Sequence, residues 1–173
     1  MNHTAPASPQ PAKPGHPRSE AVAPVTTAPA AGQVAAIRTG HCQCGDIAYH
    51  VAGDPIDPHL CACPHDRRIS GGPAVLWAGF PANSLRWTGP GGQSAWFSTW
   101  PTLHRGFCAR CGTNLVSVDD TAPDIVMVTA GSLTDQTGTE PVGHSYREQT
   151  PPWAAFTLAP DPTDQAPQPS GAA

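Results

Sequence analysis

Six cysteines stand in this 173-residue chain as three close pairs: Cys42-x-Cys44, Cys61-x-Cys63 and Cys108-x-x-Cys111. Two thiolates carried on one tight turn reach the same ion, whereas so close a pair is awkward as an internal disulfide. The opening MNHTAPASPQPAKPGHPRSE lacks the apolar stretch of an export signal, which predicts a cytoplasmic protein. A reducing compartment argues further against disulfides, so the pairs read as metal chelates.

The sharpest local pattern is Phe107-Cys108-Ala109-Arg110-Cys111-Gly112. A C-x-x-C followed by glycine has the form of a zinc knuckle: the turn aims both sulfurs at one ion and the glycine lets the backbone bend behind it. Cys42-Gln43-Cys44-Gly45 has the same ending and supplies a second half. Four thiolates close a tetrahedral site with no open position, which makes the ion structural. It would pin the start of the domain to a segment about sixty residues later and contribute folding energy directly. The competing reading is four buried free thiols.

Cys61-Ala62-Cys63 is followed by Pro64-His65-Asp66-Arg67-Arg68. Two thiolates need a third ligand, and both His65 and Asp66 are chemically competent. Three protein ligands and an open position are the pattern of catalytic zinc, with room for water or a substrate thiolate. Arg67 and Arg68 beside it could draw in an anionic substrate. Against this stand a cysteine pair that binds no metal and an ordinary solvated arginine pair. His41, His50, His59, His104 and His144 show no ligand spacing and read as surface or hydrogen-bonded side chains, and the five Trp read mostly as core, with one or two that could line a pocket.

The elements that must carry these residues are short strands. Strand-like runs at 46–51, 74–80, 84–87, 94–99, 114–118, 124–129 and 153–158 are separated by Gly, Pro, Asn and Asp, and only a helical turn near 65–70 breaks the pattern. In the first run Ile47, Tyr49 and Val51 share one face. An all-β domain over residues 37–159 follows. Every aromatic residue lies inside it, while 1–36 and 160–173 are rich in Ala and Pro and read as disordered tails. The net charge of −4 and the lack of a basic run disfavour nucleic acid. No apolar stretch is long enough for a membrane helix, and no pattern points to an oligomeric state.

Taken in order, several segments resemble the glutathione-dependent formaldehyde-activating enzyme family and its centromere-protein-V-like relatives. They are Gly40-His41-Cys42-Gln43-Cys44-Gly45, Cys61-Ala62-Cys63 with Arg67-Arg68-Ile69-Ser70-Gly71, Ser84-Leu85-Arg86-Trp87-Thr88-Gly89, Arg105 through Leu115, Gly131-Ser132-Leu133, and Pro152-Trp153. The resemblance implies a mostly-β fold of small sheets stacked like a tent. It implies a structural zinc on Cys42, Cys44, Cys108 and Cys111, and a second, catalytic zinc on a C-x-C-x-x-C pattern. Here that pattern reads Cys61-Ala62-Cys63-Pro64-His65-Asp66, so Asp66 stands where the third cysteine belongs.

The resemblance implies addition of formaldehyde to the thiol of glutathione, formally a carbon–sulfur lyase running in reverse. Cys61, Cys63 and Asp66 would then be the catalytic ligands, and Arg67 or Arg68 would meet a carboxylate of the thiol. The competing expectation is a non-catalytic zinc module that holds a surface for a protein partner, with a degenerate second site.

Overall fold

A computed structural model describes residues 35–158. The expected disordered tails therefore lie outside the described residues, apart from positions 35 and 36.

Strands β1 (Ile37–His41), β2 (Ala48–Ala52) and β5 (Arg86–Trp87) form a three-stranded antiparallel sheet in the order β1-β2-β5. A seven-stranded sheet takes β3 (Ile56–Cys61), β4 (Val75–Pro81), β6 (Ala95–Trp100), β7 (Leu103–Phe107), β8 (Asn114–Asp119), β9 (Ile125–Thr129) and β10 (Gly143–Ser145). Its order is β10-β3-β4-β9-β8-β7-β6, antiparallel except that β10 runs parallel to β3. The mostly-β architecture is the expected one, and helix α1 (Pro64–Ser70) follows β3 where a helical turn was expected.

Alternation along the strands builds two cores. Tyr49 and Val51 of β2, with Ile47 just before it, are buried as the period-two pattern predicts. They meet Ala78 and Phe80 of β4, Leu115 and Val116 of β8, and Val126 and Val128 of β9. The other face of β4 carries Val75 and Trp77, which form a second cluster with Cys61 and Cys63. Met127 and Tyr146 pack against that second cluster. Burial on both faces is why 74–80 reads as an unbroken apolar run. Two residues of the segments that carry the resemblance serve the main core. A Cβ on Gly40 would fall within the Tyr49 ring. Tyr49 Oη shares a 2.6 Å hydrogen bond with Ser132 Oγ, which itself donates to the Thr129 carbonyl at 2.8 Å.

Two expectations are corrected. Residues 153–158 form no strand: Pro151 and Pro152 have no N–H to offer a ladder, and Ala154 N turns back to the Pro151 carbonyl at 2.9 Å. The tryptophans are not mostly core. Trp77 is buried and Trp87 and Trp100 are partly so, but Trp96 and Trp153 are 44% and 77% exposed. β1, β3, β7 and β10 are strands that the periodicity did not predict. In β3 the ladder shifts register between Ile56 and His59, around Asp57 at φ 44° and Pro58, which hides the alternation.

Candidate functional site

Cys42 follows β1 and Cys108 follows β7, so the two knuckles meet where the small sheet adjoins the large one. The sulfurs of Cys42, Cys44, Cys108 and Cys111 all lie within 4.8 Å of one another. Cys42 to Cys44 is 3.5 Å and Cys44 to Cys108 is 3.8 Å. Zinc–sulfur bonds of about 2.3 Å in a tetrahedron place sulfurs about 3.8 Å apart, so the donor set fits zinc. Ile47 N donates to Cys42 Sγ at 3.2 Å. The Thr113 hydroxyl and N–H, with the Cys44 N–H, pull the Cys111 thiol down to about 5. These donors favour thiolate over thiol.

The two turns share one design. Gly45 N donates to the Cys42 carbonyl at 3.0 Å and Gly112 N to that of Cys108 at 2.8 Å, with φ of 75° and 76°. A Cβ on Gly112 meets nothing within 4 Å, so Gly112→Ala carries only the left-handed backbone cost, about 1–2 kcal/mol. The variant is expected to keep the four-thiol cluster and melt several degrees lower. An unchanged melting temperature would contradict this turn geometry.

The second cluster unites Cys61, at the end of β3, with Cys63 and Asp66. Their ligand atoms also lie within 4.8 Å of one another, and all three residues are buried. Cys63 is the N-cap of α1, its Sγ accepting from Asp66 N at 3.4 Å, and Pro64 occupies the first helical turn, where a missing N–H costs nothing. One turn of helix thus brings Asp66 back over Cys63. His65 turns elsewhere, its ring edge-on to Trp100 with centroids 5.2 Å apart. The Cys61 thiol, donating to Cys63, lowers Cys63 to about 7 against its burial. The same contact, burial and the Asp66 charge push Cys61 up.

Asp66 has partners that the sequence did not predict. Trp77 Nε1 donates to Oδ2 at 3.0 Å, and Arg105 Nη2 lies 2.7 Å from Oδ1. The Arg105 N–H does not line up with Oδ1, which remains a buried oxygen without a hydrogen bond, so the pair is held by charge. One carboxylate oxygen of Asp66 and two sulfurs could hold a zinc ion. Charge balances either way. Neutral thiols leave the Asp66–Arg105 pair neutral, and two thiolates, one carboxylate, one guanidinium and Zn²⁺ also sum to zero. Arg105 was missed because its partner lies 39 residues away in sequence. The available signal was a charged side chain inside a run that leads into a zinc knuckle.

Arg67 and Arg68 line a cavity of about 420 Å³ with Pro64, Gly71, Pro151 and Trp153. Arg67 Nη1 donates to the Gln149 carbonyl at 2.9 Å, which anchors one arginine while Arg68 stays exposed. Pro64 joins this cavity to Cys63. The histidines are hydrogen-bonded where partners are seen: His59 with Asp57, His104 with Ser98 and Asp120, His144 with Thr150.

Fold and site together define a two-sheet β-domain with two thiol clusters that could each hold a metal ion. Residues 37–149 match the family described as glutathione-dependent formaldehyde-activating enzyme, and the chain belongs to that family. A crystal structure of a Rhodobacter sphaeroides protein from structural genomics is similar in fold, with TM-score 0.50 and 19% identity. The likeness covers 62% of this chain and 99% of that one. No curated protein matches the chain. Among the described residues no helix is long and apolar enough to cross a membrane.

Proposed function

We propose that the protein is a cytoplasmic carbon–sulfur lyase of the S-(hydroxymethyl)glutathione synthase type, adding a small aldehyde to a low-molecular-weight thiol. In this reaction the thiol sulfur bonds to the carbonyl carbon, the C=O π bond breaks, and the S–H proton ends on the former carbonyl oxygen. The observation that carries the reading is the adjacency of the Cys61–Cys63–Asp66 cluster to the Arg67–Arg68 cavity, joined through Pro64.

Cys42, Cys44, Cys108 and Cys111 would hold one zinc as a structural clamp. Cys61, Cys63 and Asp66 would hold a second. Bound there, zinc would lower the pKa of a thiol brought beside it and favour the thiolate nucleophile. Arg68, exposed and unanchored, is the residue for a carboxylate of glutathione or a similar thiol, and Arg67 adds its charge from a fixed position. Burial of the three ligands keeps bulk water from competing for the site. Holding both reactants together supplies effective concentration.

A second reading has one observation in its favour. The Asp66–Arg105–Trp77 contacts balance charge and fill the place of a third thiolate without any metal, as in a zinc module with one structural ion that serves a protein partner. Zinc per chain and thiol dependence separate the two. The lyase reading expects about two zinc per chain and faster exchange between free and glutathione-bound formaldehyde, followed by NMR. One zinc and no acceleration at millimolar glutathione would favour the module. Arg68→Ala is expected to raise KM for glutathione about tenfold with kcat little changed, and an unaltered KM would remove Arg68 from the thiol site.

A further inference from the structure

Trp153 is a feature of the Arg67–Arg68 cavity that the carboxylate contacts leave unused. Its side chain lines that cavity and is 77% exposed, more than any other large apolar side chain among the described residues. A single exposed apolar side chain is ordinary on a protein surface. A ring held fixed in a concavity beside two arginines is a different matter.

The chain fastens this ring on both sides. Before it, Gln149 N donates to the Tyr146 carbonyl at 2.9 Å and Thr150 N to the Arg147 carbonyl at 3.1 Å. The Gln149 carbonyl in turn accepts from Arg67 Nη1 at 2.9 Å, which ties the segment to α1, the helix that carries Asp66 and both arginines. Pro151 and Pro152 fix φ in the two residues that precede Trp153, and Ala154 N closes the turn on the Pro151 carbonyl at 2.9 Å. After it, Phe156 lies edge-on to His144 of β10, with ring centroids 5.5 Å apart. The indole therefore has little backbone freedom to lose when a ligand covers it.

These features select a ligand chemistry. Exposed Arg68 and anchored Arg67 call for a carboxylate. The indole face calls for a flat group of low polarity that leaves water as it covers the ring. A planar amide meets that need, and the tetrahedral carbons of a compact amino-acid thiol do not. Gly71 and Gly72 line the same cavity without side chains, and a Cβ on Gly71 would meet nothing within 4 Å, so the space stays open. Its volume of about 420 Å³ lies in the range of small-ligand pockets.

We propose that Trp153 determines the specificity of this cavity by stacking on an amide plane of an anionic thiol. It would favour thiols in which an amide separates the sulfur from a carboxylate over compact amino-acid thiols. That the ligand is the reacting thiol rests on the lyase reading, whereas the stacking does not.

The test uses the full chain with S-methylglutathione, whose capped sulfur cannot react, beside S-methylcysteine, which has a carboxylate but no amide. By NMR or calorimetry S-methylglutathione should bind about tenfold more tightly, its protons moved upfield by the indole ring current. Trp153→Ala should weaken it about fivefold and abolish the upfield shift, and Trp153→Phe should keep most of both. The exposure of the ring means that neither change threatens the fold. No binding of S-methylglutathione, equal binding of S-methylcysteine, a Trp153→Ala variant that binds like the parent, or a Phe variant as weak as Ala would overturn the proposal. Formaldehyde exchange with glutathione is then measured on the same proteins. Binding that depends on Trp153 without any exchange would keep the stacking and remove the lyase reading. Exchange with an unchanged KM for glutathione in Trp153→Ala would do the reverse.

Discussion

Cys108→Ser is expected to unfold the β-domain. Cys108 is fully buried and its sulfur belongs to the four-thiol cluster between the two sheets. Structural zinc contributes apparent binding energies of about 10–16 kcal/mol in small domains, against a total stability of about 5–15 kcal/mol for a domain of ordinary size. Losing one of four ligands therefore removes an energy comparable to the whole. Near-UV circular dichroism should collapse and zinc per chain should fall by about one. Cys111→Ser is the sharper control, because Cys111 is exposed. Were these four residues only free thiols, that surface change would cost within about 0.5 kcal/mol. As a ligand it should be nearly as damaging as Cys108→Ser. A folded, zinc-replete Cys111→Ser protein would refute the structural zinc.

The second large effect is expected at Asp66. Asp66→Asn keeps the shape and can still accept from Trp77 Nε1, but it leaves the Arg105 guanidinium buried without a counter-charge. Breaking a buried ion pair from one side costs about 3–5 kcal/mol, so a large fall in denaturation midpoint is expected with the structural zinc retained. Asp66→Cys should behave differently with and without metal. Without zinc in the second cluster it loses the carboxylate, as Asn does. With zinc, a third thiolate restores the negative charge beside Arg105, so stability should recover and zinc content rise. Melting curves in zinc-buffered and mildly chelated solution would read the difference. A zinc-independent melting temperature for Asp66→Cys would mean that position 66 does not face an ion.

Each knuckle was legible because it is local: a C-x-C or C-x-x-C followed by glycine specifies its own turn, and only the meeting of two such turns needs the fold. The β2 alternation was legible because one of its faces is buried and the other is not. β10 was not, since Gly143–Ser145 is held by its parallel neighbour β3 and has no pattern of its own. A tryptophan lining a pocket was foreseen, but that Trp153 is one was hidden, because an aromatic residue gives no sign of which surface it faces.

The choice between His65 and Asp66 shows the division most clearly. Spacing left both available, and the helix that starts at Pro64 placed Asp66 with Cys61 and Cys63 and turned His65 to Trp100. Arg105 belongs wholly to the tertiary structure, because its ion pair with Asp66 joins β7 to α1 across the sheet face. The sequence by itself determined which residues can bind metal, since donor chemistry and turn spacing are local. Only the tertiary structure decided which carboxylate is buried and what balances its charge, since both depend on strands that pair far apart along the chain.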